Sequence, residues 1–290
     1  MDNSAQETIY EPRPDMMSPR RMLRGIFDGF WNGRELAWRL FVRQLRGMYR
    51  QTLLGMFWIF LPPIANTAIW VFLRSRNVFD FGDDPSSPLA GLNTTAYILT
   101  GMILWQSFVD ALQMPMDTVS SNRGMVTKLN FPREALILQG LGDLSFNLAI
   151  RMLLLVPTFI FFGVSLHWGV LAAIPVILLM LLFAVGLGLI LLPFGSLYHD
   201  VGRFIGIAIP FWMIITPIIY YLPNTSPGNL LNWLNPASPL LVASRDLLLM
   251  GTTEHVAASV VFGLIAIPTF IVGLIVYRIA IPALIERMAN

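Results

Sequence analysis

Five long stretches of this chain carry no Asp, Glu, Lys or Arg: residues 51–73, 85–109, 152–199, 204–244 and 255–277, each bounded by charge. These runs constrain the fold more than any motif, because about 20 apolar residues in a helix suffice to cross the hydrocarbon core of a bilayer. With 56% of residues hydrophobic and 12% charged, the composition does not suit a solvated surface. The run from Met152 to His199 is too long for one span, and the stretch "FFGVSLHWGV" breaks it near residues 163–169. The pattern predicts an all-α polytopic membrane protein with six transmembrane helices, at about 54–73, 92–110, 137–162, 170–192, 204–222 and 258–280.

Basic residues orient these spans. Nine arginines precede residue 52, Arg123, Lys128 and Arg133 lie between spans two and three, Arg203 between spans four and five, and Arg278 and Arg287 near the C-terminus. Of the nineteen basic residues, only Arg74, Arg76 and Arg245 fall on the other side, with Arg151 inside a span. The positive-inside rule therefore places both termini in the cytoplasm. The first fifty residues lack the apolar core of a signal peptide, so the first span is expected to direct insertion. There is no cysteine, and hence neither a disulfide nor a thiolate metal site.

Residues 1–19, rich in acids and proline, read as a disordered cytoplasmic tail. Over residues 20–51, Leu36, Leu40, Phe41, Leu45 and Met48 recur at helical spacing beside a second stripe of Arg39, Arg43, Arg46 and Arg50. Leu23, Ile26, Phe27, Phe30 and Trp31 extend the apolar side upstream. This is the pattern of an amphipathic helix lying on the membrane, with its arginines near anionic headgroups. Residues 52–290 then form the transmembrane domain.

Chemistry is mostly excluded. The chain has no G-x-x-x-x-G-K-[ST] phosphate loop, and Lys128 is its only lysine. The histidines at 167, 199 and 255 lie in separate connections without ligand spacing. No catalytic residue, metal site or bound cofactor is expected. On the outer side, residues 223–254 are too apolar for a loop, yet their runs are too short to span and are broken by "NPASP". They read as a re-entrant hairpin between spans five and six, with Trp233, Arg245 and Asp246 as candidate gate residues. Span three carries Asp143, Asn147 and Arg151 at i, i+4 and i+8, a polar stripe expected to face the interior as structural pairing or toward a wet channel.

Four stretches resemble a known family in order. The stretch "RQLRGMYRQTLLGMFWIFLPP" is similar to the entry to the first span of the ABC-2 type permeases that export O-antigen, capsule and teichoic-acid polysaccharides. "SNRGMVTKLNFPREAL" resembles the family's loop between spans two and three, "LYHDVGRF" its connection between spans four and five, and "LNPASPLLVASRDLLLMG" its segment before the last span. The resemblance covers about residues 36–285 and leaves the long N-terminal extension without a role. It implies a permease subunit that pairs with a second copy of itself and with two copies of a separate ATPase. ATP and Mg would bind in that partner, and a lipid-linked polysaccharide, most like O-antigen, would cross the bacterial inner membrane; membrane lipids are partners, nucleic acid is not. By the same resemblance, the stretch containing Asp117, Arg123, Met125, Lys128, Phe131 and Arg133 is the coupling helix that docks on the ATPase.

Sugar rings stack on aromatic faces. Two stripes at helical spacing are therefore candidates to line the glycan path: Tyr97, Trp105 and Phe108 in span two, and Trp212, Thr216 and Tyr220 in span five. A stand-alone secondary transporter or a polytopic enzyme is the other class of reading. Against a carrier stand the lack of evident repeats and Asp143 as the only acid well inside a span.

Overall fold

The computed structural model describes residues 19–50, 55–76, 93–126, 131–221 and 228–289. The expected disordered tail before Pro19, and Lys128 of the expected coupling stretch, lie outside the described residues. Every described element is a helix: α1 (Pro19–Arg50), α2 (Phe57–Ser75), α3 (Thr94–Ser121), α4 (Arg123–Val126), α5 (Glu134–Phe162), α6 (Gly169–Leu197), α7 (His199–Ile215), α8 (Gly228–Leu234), α9 (Ser238–Leu249) and α10 (Val256–Ala289).

Four of these are long and apolar enough to cross a membrane: Phe57–Ser75, Glu134–Phe162, Gly169–Leu197 and Val256–Arg287. The other two expected spans also form helices, with instructive differences. α3 is longer than a span requires but more polar. It packs against α2, α5, α6 and α9, so its side chains meet protein where an outer helix meets lipid. α7 has 17 residues, about 25 Å at 1.5 Å per residue, short of a hydrocarbon core of about 30 Å. It stops at Ile215 where the sequence pattern runs on to about 222, because Pro217 disfavours helical geometry at the residue before it and Thr216 is extended (φ −80°, ψ 131°).

The break between α5 and α6 falls where the sequence places it, with Gly163 left-handed at φ 67° closing α5. The connection from α6 to α7 is tighter than expected. A single extended residue, Tyr198, separates the two helices.

Glycines set the closest helix contacts. Gly186 and Gly188 are two residues apart and so lie on opposite sides of α6. A Cβ on Gly186 would stand 2.8 Å from the backbone of Phe270 in α10, and one on Gly188 would strike the Leu112 carbonyl of α3. In this way α6 brings the backbones of α3 and α10 close on its two flanks, the use to which membrane helices put small residues.

α1 packs one stripe of its surface on α5. Gly25, Gly29, Gly33 and Ala37 form a flat stripe at four-residue spacing, and Gly33 meets Ala135 at the start of α5 so closely that a Cβ would stand 3.2 Å from its backbone nitrogen. Ile26 and Leu40 are buried with this stripe, whereas Phe27, Trp31 and Trp38 stay exposed. The apolar residues of α1 thus divide between the bundle and the outside. The same end of the bundle collects the last turns of α10, where the Tyr277 hydroxyl donates to the Arg133 carbonyl (2.8 Å).

Candidate functional site

At the end opposite α1, the chain emerging from α7 is held by the helix pair α8–α9. Arg245 of α9 is fully buried. Its Nη1 donates to the carbonyls of Pro217 (2.6 Å) and Ile218 (3.3 Å), groups that the end of α7 leaves without helical partners. Its guanidinium lies 4.0 Å from the centroid of the Tyr97 ring on α3. Asp246 contributes charge more than a bond: its Oδ1 lies 3.6 Å from Arg245 Nη2, while its Oδ2 accepts from the Thr253 hydroxyl (3.2 Å). Of the three candidate gate residues, Arg245 and Asp246 are therefore enclosed, and Trp233 sits at the surface against Phe262 of α10 (6.2 Å).

The two aromatic stripes meet each other. Trp105 and Phe108 of α3 stack at 5.5 Å, and Trp212 of α7 stands edge-on to both, at 5.9 and 5.3 Å. The Tyr97 hydroxyl donates to the Tyr220 carbonyl (3.3 Å), so the stripes are joined again one level further out. Trp212 and Thr216 are also tied by Asn235, in the turn between α8 and α9. Asn235 escaped sequence reasoning because it reads as a turn residue in "NPASP".

The polar stripe of span three divides. Arg151, almost wholly buried, pairs with Asp110 of α3 (Nη1 to Oδ2, 2.6 Å), and Gln106 donates to the other carboxylate oxygen (2.9 Å). A lone buried guanidinium is costly, and Asp110 compensates it. Asp143 and Asn147 instead line a cavity of about 300 Å³ between α1, α3 and α5, together with Gln44, Gln113 and Asp117.

The expected coupling stretch lies at the α1 end. Arg123 is exposed at the start of α4, Val126 is buried, and Met125 and Phe131 pack half-buried against the core. Asp117 and Arg123 border a cleft of about 580 Å³ shared with Gly202 and Ile205 of α7 and Arg287 of α10. Partial burial pulls the Arg133 guanidinium below its usual range, opposed by Tyr277 and Glu134. The hub of this end is Asn122. Its Oδ1 accepts from Arg43 of α1 (2.7 Å), and its Nδ2 donates to the Thr118 carbonyl (2.8 Å) and to Gln139 of α5 (3.2 Å).

The ABC-2 type transporter family matches residues 35–249, from the middle of α1 to the end of α9. The chain belongs to that family. As an ABC-2 type permease it is 24% identical over 213 residues to the O-antigen export system permease protein RfbA of Myxococcus xanthus, covering 72% of this chain and 78% of that protein. It is 23% identical over 226 residues to the RfbA of Klebsiella pneumoniae, covering 76% and 82%. The capsule polysaccharide export inner-membrane protein CtrC of Neisseria meningitidis serogroup A is 27% identical over 184 residues, covering 56% and 62%. This ABC-2 permease is thus a membrane-spanning transport protein and not an enzyme, homologous to permeases of polysaccharide export.

Proposed function

We propose that this permease carries a lipid-linked polysaccharide, the O-antigen of lipopolysaccharide, from the cytoplasm across the bacterial inner membrane. The observation that carries the reading is its similarity to O-antigen permeases over 72–76% of the chain, where the capsule relative matches 56%. Energy comes from a separate ATPase that binds ATP and Mg, two copies serving two copies of this chain. The α1 end, which holds most of the basic residues, faces the cytoplasm. There the stretch from Asp117 to Arg133 meets the ATPase, an assignment supported by the exposure of Arg123 and Gly124 at the head of α4, which is anchored by the buried Val126.

In this reading α3 and α7 complete six spans, α3 shielded from lipid by its neighbours and α7 extended by the chain that Arg245 caps. α8 and α9 form the outer hairpin, with Trp233, Arg245 and Asp246 at the exit. The aromatic residues Trp105, Phe108 and Trp212, with Tyr97, Thr216 and Tyr220, stand beside the glycan path. The second copy covers the apolar faces of α2 and α7, on which Phe57, Trp58, Phe204, Ile207 and Phe211 are exposed.

The test is co-expression with candidate ATPases encoded beside the permease. ATP hydrolysis that requires the partner, in a purified complex whose mass fits two copies of each chain, supports the reading. A permease that purifies alone and moves solute along an ion gradient points to a secondary transporter.

A further inference from the structure

We propose that Asn235 is a positioning residue of the transport cycle, fastening the outer end of α7 to α8–α9 so that a displacement begun at the inner end of α7 carries the outer helices with it. The inference rests on the reading of the chain as an ATP-driven exporter. Its basis is a closed ring of three hydrogen bonds. The Trp212 indole N–H donates to Asn235 Oδ1 (2.8 Å), Asn235 Nδ2 donates to the Thr216 hydroxyl (2.9 Å), and that hydroxyl donates to the Trp212 carbonyl (2.8 Å). Asn235 is buried, and both atoms of its amide are used across the junction. Such a ring fixes register, because sliding α7 against the turn would leave a part-buried indole N–H and a buried amide unpaired.

Arg245 adds a second fastening one turn further along, through the carbonyls of Pro217 and Ile218. By contrast, the side of α7 bearing Phe204, Ile207 and Phe211 is exposed within this chain and is the face assigned to the second copy, an apolar contact without hydrogen bonds to fix its register. Against α3, α9 sets the Arg245 guanidinium over the Tyr97 ring, a contact that, like the packing of its buried Leu240, Leu241 and Leu248, tolerates the small sliding seen in shear motions, which a hydrogen-bonded ring does not. At its inner end, α7 places Gly202 and Ile205 on the same cleft as Arg123 of α4. One helix therefore reaches from the coupling stretch to the outer hairpin, held firmly at the outer end.

The experiment compares polymer exported per ATP hydrolysed in the reconstituted permease–ATPase complex for wild type, Asn235→Leu, Trp212→Phe and Thr216→Val. Loss of the ring should lower that ratio by at least about fivefold to tenfold in Asn235→Leu, which removes two of its three bonds. Trp212→Phe and Thr216→Val, which each open the ring, should lower it in the same direction. Trp212→Phe removes a single bond and decides the matter if Asn235→Leu does not assemble. Export and hydrolysis falling together, with the ratio unchanged, or an unchanged ratio with normal export, would overturn the inference. A wild-type complex that hydrolyses ATP but moves no polymer would instead overturn the export reading on which it rests.

Discussion

Arg43 of α1 donates a hydrogen bond of 2.7 Å to the side-chain oxygen of Asn122, the residue that joins α3 to α4. One arginine of the stripe that the sequence assigns to headgroups thus also bonds within the protein. Through the same amide, α1 and α5 share one anchor. Any shift of α4 is felt at both helices.

Asn122→Ala should therefore destabilise the permease by about 1–3 kcal/mol, because it strands the Gln139 acceptor and the Arg43 donor. Arg43→Ala removes one bond at a part-buried site and should cost less. Thermal unfolding of the detergent-solubilised protein measures both. Equal melting temperatures for Asn122→Ala and wild type would show that the hub is not needed.

The pairing of Arg151 with Asp110 sets up a second comparison. Arg151→Ala leaves a carboxylate beside a cavity, and Asp110→Asn leaves a buried guanidinium without its counter-charge. Breaking a buried pair typically costs about 3–5 kcal/mol, with the larger loss expected here for Asp110→Asn because Arg151 is the deeper partner. The double variant Arg151→Met/Asp110→Asn should recover much of the loss in melting temperature. Strict additivity of the two single effects would contradict the pairing.

Charge reversal at Arg123 is expected to weaken capture of the ATPase or its stimulated hydrolysis, with membrane insertion intact. Arg123 is exposed at the head of α4, so its replacement leaves the core undisturbed. Co-purification and ATP hydrolysis report the two effects separately. Wild-type behaviour in both would move the coupling site away from α4.

Because the chain has no cysteine, orientation is open to single-cysteine labelling without background. Cysteines at positions 124 and 286 should be shielded from an impermeant reagent added to intact cells, and one at 168 should react. Labelling of 124 from outside would reverse the topology drawn from the arginines.

What was legible in the sequence follows from what periodicity measures. Charge-free runs locate the helices, and "FFGVSLHWGV" locates the turn at Gly163, because burial in lipid and backbone permissiveness are local properties. Pairing between helices is not local. The i, i+4, i+8 spacing of Asp143, Asn147 and Arg151 describes one face of α5 and says nothing of Asp110, which neutralises Arg151 from α3. Arg245 and Asp246 look like a pair because they are adjacent, yet the hydrogen bonds of Arg245 go to Pro217 and Ile218, carbonyls made available by the end of α7. The stripe Gly25, Gly29, Gly33 and Ala37 was readable in principle. Its signal is the absence of side chains, which the larger Phe27, Phe30 and Trp31 between them obscure.

The most direct test of the account is transport itself. The permease and its ATPase, reconstituted in liposomes with lipid-linked O-antigen on the ATP-accessible side, should move the polymer to the opposite face only when ATP and Mg are supplied. An added glycan-binding protein confined to one side would detect that appearance. Polymer that appears without hydrolysis, or hydrolysis stimulated by a different lipid-linked glycan while O-antigen stays where it was loaded, would contradict the assignment.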